Sequence, residues 1–147
     1  MANPTKDENA ELAPLLFLEG EWQGEGRGPY GPYRLAARVG RRGRWLLMTS
    51  EIFDATSNQV TYVSTQVYGY DEEGLSLSFF DTAGSFDFRG TQAADGLRFE
   101  WRDGENWKRS RYWRETDGKV RFRYESVYPK GSSEVFEGSW THRSSGR

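Results

Sequence analysis

Three strand-like runs follow one another in residues 95–125, which read DGLRFEWRDGENWKRSRYWRETDGKVRFRYE. In the first run Leu97, Phe99 and Trp101 alternate with charged residues, a pattern typical of a strand with one buried face. Asp95-Gly96 and Asp117-Gly118 each lie between two runs, and such pairs favour tight hairpin turns because glycine accepts the positive φ that these turns require. This stretch therefore predicts consecutive antiparallel hairpins.

The rest of the chain from Gly20 onward is organised in the same way, as short runs rich in aromatic and β-branched residues between Gly, Asp, Asn and Ser clusters. No connection is long enough for the crossover that parallel strands need. Closing the sheet on itself would also remove its exposed edges. We predict an all-β fold, a closed antiparallel up-and-down barrel of about ten strands with a short N-terminal helix. The predicted strands are 21–26, 33–39, 45–53, 59–70, 75–81, 85–91, 97–103, 107–115, 119–128 and 133–142.

The chain has 147 residues, which suits a single domain. We expect this barrel domain to span residues 11–143, with disordered tails at 1–10 and 144–147. The short helix is predicted from the leucine spacing near residue 12, with either of two polar residues before it as its cap. The residues on which this helix depends are Asp7, Asn9, Glu11, Leu12, Leu15 and Leu16.

Charge and composition exclude several classes of protein. The 20 basic and 22 acidic side chains leave a net charge of −2, which argues against a general attraction to DNA or to anionic lipid. The absence of cysteine excludes disulfides and thiolate chemistry. The polar N-terminus does not have the pattern of a signal peptide, and no apolar run is long enough to span a bilayer. We expect a soluble cytoplasmic protein that binds neither DNA nor membranes; a homodimer stays open.

Aromatic residues make up 16% of the chain, with six Trp, eight Tyr and nine Phe. Wide rings on inward strand positions would fill or line the interior of a barrel. We take five of them as candidate ligand-binding residues, and the alternative for each is a purely structural place in the core. These rings are Trp22, Tyr68, Phe88, Trp101 and Tyr124.

The run at 107–115 does not divide into an apolar and a polar face. One side would carry two tryptophans with Arg109 and Arg111, and the other would carry Lys108, Ser110 and Tyr112. A strand that borders a polar cavity would show such a pattern, although a solvated strand with two surface aromatics would show it too. We predict that Arg109 and Arg111 enter the barrel and bind the polar end of a ligand, because a guanidinium offers a fixed fork of donors.

Several short motifs resemble known barrel families. The segment Gly20-Glu21-Trp22 resembles the Gly-x-Trp signature of lipocalin-like barrels, and the glycines that follow it at alternate positions resemble the first strand of nitrobindin-type barrels. The chain also resembles a bacterial family of lipocalin-like domains with no established activity. Together they imply a calycin-type barrel with an internal pocket. The further motifs behind this resemblance are Gly24, Gly26, Gly28, Gly43-Arg44-Trp45-Leu46, Gly69-Tyr70-Asp71, Asp81 with Gly84, and Asp95-Gly96-Leu97.

His142 is the single histidine, so a site with several histidine ligands cannot form within one chain. Nitrobindin-like barrels hold haem through a histidine in the C-terminal part of the barrel, and the resemblance therefore implies His142 as a haem ligand in one alternative. His142 lies close to the chain end, and we otherwise expect no cofactor and no metal.

Binding is favoured over catalysis, and whether the protein is an enzyme stays open. The leading hypothesis is the binding of a small, largely apolar or aromatic molecule with a polar end inside the barrel. The catalytic alternative is an isomerase, cyclase or hydrolase that uses Tyr, Glu and Arg, with Glu100 or Glu125 as candidates; an inward carboxylate beside an inward Tyr or Arg would favour it. A barrel packed solid with rings would instead be an interaction module.

The basic residues of 107–125 are interleaved with aromatic ones, a mixture that can neutralise and stack single-stranded RNA. Such binding would require adjacent strands to display both kinds of residue on one open face. Because acidic residues are interspersed and the overall charge is close to zero, we do not expect RNA binding.

Overall fold

The computed structural model describes residues 12–94, 96–129 and 133–143, and both predicted tails lie outside this part of the chain. It contains ten antiparallel strands in these residues. In chain order β1 to β10 they are Gly20–Gly28, Gly31–Arg42, Trp45–Asp54, Val60–Asp71, Gly74–Asp81, Gly84–Gln92, Gly96–Asp103, Asn106–Arg114, Val120–Val127 and Glu134–His142.

Each strand pairs with its neighbours in the chain, and β1 also pairs with β10, which closes the barrel. The closing register runs from Trp22 opposite His142 to Arg27 opposite Glu137. The prediction of a closed up-and-down barrel is therefore confirmed. Because the strands alternate in direction, β1 starts at the same end at which β10 finishes, and this end also receives the N-terminal segment.

The predicted short helix is present, as a 3-10 helix over Ala13–Leu18. Leu12, Leu15 and Leu18 are buried, and Trp22 Nε1 donates a hydrogen bond of 2.7 Å to the carbonyl oxygen of Leu18. The helix thus covers the end of the barrel at which β1 begins, which we call the closed end. Leu12 occupies the N-cap position without a side-chain hydrogen bond, and the proposed caps lie outside the described residues. None of the described helices could cross a bilayer.

The seam between β1 and β10 depends on glycine. A Cβ atom at Gly26 would lie 2.0 Å from the carbonyl oxygen of Glu137 and 2.7 Å from the Cα of Gly138. A Cβ at Gly138 would in turn lie 2.4 Å from the carbonyl oxygen of Glu25. These contacts are with backbone, which cannot move aside like a flexible side chain, so glycine permits the close approach of the two strands.

Candidate functional site

The two ends of the barrel interior differ in their exposure to solvent. Inward residues near the closed end are fully buried, including Val39, Leu46, Leu97, Val120 and Trp140. At the other end, which we call the open end, inward rings pack on the core but stay partly exposed. Solvent therefore reaches the interior from the open end, and we call this partly exposed part of the interior the recess. The partly exposed inward residues there include Ile52, Tyr62, Phe79, Phe86, Trp101, Tyr124 and Phe136.

Lys108 places a cation in the open half. Lys108 is the third residue of β8, its side chain faces inward, and only 8% of the residue is exposed. Its Nζ donates hydrogen bonds of 3.2 Å to Tyr124 Oη and 2.6 Å to Tyr128 Oη. Four rings lie around the same nitrogen, at centroid distances of 4.7 Å for Phe86, 5.1 Å for Tyr128, 5.8 Å for Trp101 and 5.9 Å for Tyr124.

No carboxylate among the described residues forms an ion pair with Lys108. Burial acts to lower its pKa, but the oxygens of Tyr128 and Tyr124 act in the opposite direction and the pKa lies above its ordinary value. The faces of the aromatic rings also favour a cation at this place. Lys108 is therefore a protonated, nearly buried ammonium without an anionic partner in the described chain.

A carboxylate also faces the open half. Tyr62 Oη donates a hydrogen bond of 2.5 Å to Asp81 Oδ2, while Asp81 Oδ1 accepts one of 2.8 Å from the backbone N–H of Ala83. Burial and this bond to Asp81 raise the pKa of Tyr62. Burial raises the pKa of Tyr124, and the neighbouring ammonium of Lys108 acts in the opposite direction.

Deeper in the barrel, polar groups satisfy one another. Tyr68 Oη donates to Gln66 Oε1 and lies 3.0 Å from Tyr112 Oη. Ser50 and Ser64 are joined by a hydrogen bond of 2.7 Å between their hydroxyl oxygens. Burial raises the pKa of Tyr112 to about 12. These buried groups do not face solvent, so they form the floor of the recess.

The predicted aromatic residues all lie inside the barrel, at different depths. Trp22 lies at the closed end, and Tyr68 and Phe88 are fully buried in the interior. Trp101 and Tyr124 belong to the group of rings around Lys108 in the open half. The structure thus brings two of the five candidate rings to the part of the interior that solvent reaches.

Arg109 and Arg111 do not enter the barrel, and this prediction is corrected. The inward residues of β8 are Lys108, Ser110 and Tyr112, which are buried. Arg109 lies on the outer wall, where its Nε donates a hydrogen bond of 3.1 Å to Glu100 Oε1. The alternation of side chains along the strand places Arg111 on the same outer face.

The sequence did contain a signal for the inward face of β8. Ser110 lies directly opposite Phe99 of β7 and Tyr124 of β9. Residues directly opposite each other point to the same side of a sheet, and the short turn between β7 and β8 fixes which residues are opposite. The clear alternation of β7 therefore assigns Lys108 to the interior, opposite Trp101.

The other acidic candidates lie outside. Glu125 on β9 accepts a hydrogen bond of 3.1 Å from Arg123 Nε, and Glu100 accepts the bond from Arg109. Both carboxylates are partly exposed and bound by arginine on the outer wall. Asp81, bound by the inward Tyr62, is instead a carboxylate of the open half that faces inward.

His142 lies at the closed end, away from the recess. Its ring stacks on Trp22 with a centroid distance of 3.8 Å, and its Cε1 would lie 2.9 Å from a Cβ at Gly20. The interior beside it is occupied by Trp22 and Trp140, which are 2% and 1% exposed. A porphyrin ring would have to displace both indoles, so the residues around His142 do not fit haem.

Grooves of ligand size lie on the outer wall. Three open grooves of about 720, 740 and 550 Å³ are lined mainly by outward side chains. The middle of the barrel is occupied by Tyr68, Phe88, Phe99 and Tyr112, each at most 6% exposed. The candidate interior site is therefore the partly exposed open end around Lys108, and buried rings occupy the middle of the barrel, where the composition predicted a hollow.

Comparison with known proteins identifies the fold. No model of a protein family matches the chain. A search of curated proteins also finds no match. Among solved structures, the chain is similar to Rv2717c from M. tuberculosis, with a TM-score of 0.69 and 14% sequence identity over 97% of this chain and 99% of that one. At this identity the likeness shows a shared barrel fold and carries no activity over.

Proposed function

We propose that the recess at the open end binds a small, largely apolar or aromatic molecule that carries an anionic group. The observation behind this proposal is the position of Lys108, a residue only 8% exposed that has no carboxylate partner among the described residues and lies at the end of the barrel that solvent reaches. Lys108 would bind the anionic group, and Phe86, Trp101 and Tyr124 would contact the apolar part.

The physical reason is the charge that Lys108 carries at the open end. Tyrosine hydroxyls and ring faces favour the ammonium and raise its pKa, but these groups are neutral and leave the positive charge without a counter-ion. A ligand carboxylate would complete the environment of Lys108 through a charge-assisted hydrogen bond, worth about 1.5–3 kcal/mol. A neutral ligand would not gain this energy, so the recess favours acidic ligands over neutral ones of the same shape.

The resemblance to lipocalin-like and nitrobindin-type barrels supports the same location, because such barrels carry their pocket inside. In this proposal Tyr68 and Phe88 belong to the floor and Trp22 to the closure of the barrel, so none of the three touches the ligand. The haem alternative receives no support from the surroundings of His142.

Two related fluorescent probes test the proposal. Anilinonaphthalene sulfonate and phenylnaphthylamine share their aromatic rings, but only the first carries an anionic group. In Lys108→Met the apolar stem is kept and the charge is removed. We expect this variant to bind the sulfonate about 10- to 100-fold more weakly, as loss of a charge-assisted hydrogen bond implies, and the neutral probe within about twofold of wild type.

Arg109→Gln is the matched control, since it removes a positive charge from the adjacent residue on the outer wall. It should leave the binding of both probes unchanged. Equal binding of the sulfonate to wild type and to Lys108→Met would contradict the proposal. A similar loss in both variants would also contradict it, because the effect would then follow net charge and not the recess.

A second candidate function is proton transfer in the same recess. The observation that favours it is the hydrogen bond from Tyr62 to Asp81, which joins an inward tyrosine to an inward carboxylate. Such a pair is the arrangement that favours catalysis in the barrel. In this candidate Asp81 acts as a general base toward a carbon acid, and the ammonium of Lys108 stabilises the negative charge that develops. The reaction class would be an isomerisation through an enolate.

A further inference from the structure

Three arginines lie directly opposite one another on the outer wall. Arg98 of β7 is opposite Arg111 of β8, and Arg111 is opposite Arg123 of β9. Like charges in directly opposite positions of neighbouring strands are destabilising, so this row of arginines costs stability unless an anion lies over it.

The next row of the same wall shows how this chain neutralises charge. There Arg109 lies opposite Glu100 on one side and Glu125 on the other. In the arginine row, Arg123 is bound by Glu125 and, at 2.7 Å, by Glu137. Arg98 and Arg111, by contrast, form no ion pair with a carboxylate of the described chain.

Indole rings lie on the same face. Trp113 and Trp107 are outward residues of β8 and both are partly exposed. The guanidinium of Arg111 lies 5.3 Å from the ring centroid of Trp113. A groove of about 740 Å³ continues from Trp113 over β9, β10, β1 and β2. Its charged lining consists of four arginines and two glutamates: Arg27, Arg34, Arg121, Arg123, Glu25 and Glu137.

We propose that this outer face, formed by the arginine row Arg98, Arg111 and Arg123 with Trp113 and Trp107, binds single-stranded RNA. Guanidiniums match the geometry of phosphates, and an indole offers a stacking surface to any base. An acidic protein would form ion pairs with the arginines, but its carboxylates would not stack on the exposed indole rings.

The expectation against RNA rested on the near-zero net charge of the chain and on the interspersed acidic residues. The net charge conceals a local arrangement, because the arginine row and two tryptophans point outward while Tyr112, Phe122 and Tyr124 face inward. Two acidic residues of this wall, Glu100 and Glu125, are already bound by arginines. Adjacent strands therefore do display cations and aromatic rings on one open face. The inference concerns the outer wall and is independent of the proposed recess.

Fluorescence anisotropy with a labelled oligouridylate about a dozen nucleotides long tests the proposal, with salt concentration as a second variable. In the double variant Arg98→Gln/Arg111→Gln we expect affinity at low salt to fall about tenfold or more. We also expect the slope of log affinity against log salt to become shallower by roughly 1.4, the value for two lost contacts to single-strand phosphates. Trp113→Ala should weaken binding at least about fivefold through lost stacking and leave the slope unchanged.

The matched control is Arg38→Gln/Arg89→Gln, which removes the same charge from other parts of the outer wall. It should retain wild-type affinity within about twofold, since long-range charge effects are screened by salt. Equal losses in both double variants, no binding by wild type, or tighter binding of polyglutamate than of oligouridylate would each overturn the proposal. The last result would assign the face to an acidic protein.

Discussion

Substitution of Gly26 by alanine tests the closure on which the recess depends. The added Cβ would lie 2.0 Å from the carbonyl oxygen of Glu137, whereas ordinary van der Waals contact begins at about 3.4 Å. Strands β1 and β10 would therefore have to separate by more than 1 Å at this point. The backbone of Gly26 is outside the left-handed region, so the expected cost is steric and not conformational.

The magnitude follows from two opposing effects. Overpacking of this kind costs about 1–3 kcal/mol, and a stretched ladder hydrogen bond adds about 1 kcal/mol. Alanine also lowers the conformational entropy of the unfolded chain, which raises the free energy of unfolding by about 0.4–1 kcal/mol. We expect the free energy of unfolding to fall by about 2–3 kcal/mol, which for a domain of this size corresponds to a decrease in Tm of about 4–12 °C.

Urea unfolding followed by tryptophan fluorescence measures this change, and Gly40→Ala is the control. A Cβ at Gly40 would meet only the flexible end of Arg42, at 3.8 Å, so this variant should unfold within about 0.5 kcal/mol of wild type. If Gly26→Ala were as stable as Gly40→Ala, the close approach of β1 and β10 would be refuted.

The remaining predictions concern two carboxylates. If Asp81 is a general base, wild type should accelerate the proton abstraction that opens nitrobenzisoxazole, and Asp81→Asn should lose that rate. Glu125→Gln, a carboxylate of the outer wall, should keep it; equal rates in wild type and Asp81→Asn would contradict the role. The side-chain hydrogen bonds of Arg89 lower the pKa of Asp71 from 3.8 to about 2, so the stability gained from this pair is present above about pH 4 and lost as the pH falls toward 2. Arg89→Gln should therefore lower the stability measured by urea unfolding at pH 6 and have little effect near pH 2; an equal loss at both pH values would contradict the assignment.

The sequence carried the information for the strands, because turns and alternation are local properties. Glycines and aspartates at the turns fix where each hairpin ends, and the alternation at Leu97, Phe99 and Trp101 fixes which side is apolar. Closure followed from a general argument about exposed edges, and the pairing of β1 with β10 confirms it. The short turn between β7 and β8 also fixes the register of their hairpin, and this register determines the inward face of β8.

The candidate site was decided by tertiary structure. The rings around Lys108 come from β6, β7, β9 and the residue after β9, and no spacing along the chain brings Phe86, Trp101, Tyr124 and Tyr128 together. Asp81 and Tyr62 are likewise 19 residues apart in the chain, and the pairing of their strands brings them together. Local sequence determined where the strands and turns of this protein lie. Pairing between neighbouring strands brings Trp101 opposite Lys108, and the curvature of the closed sheet brings in Phe86 from a strand that does not pair with β8.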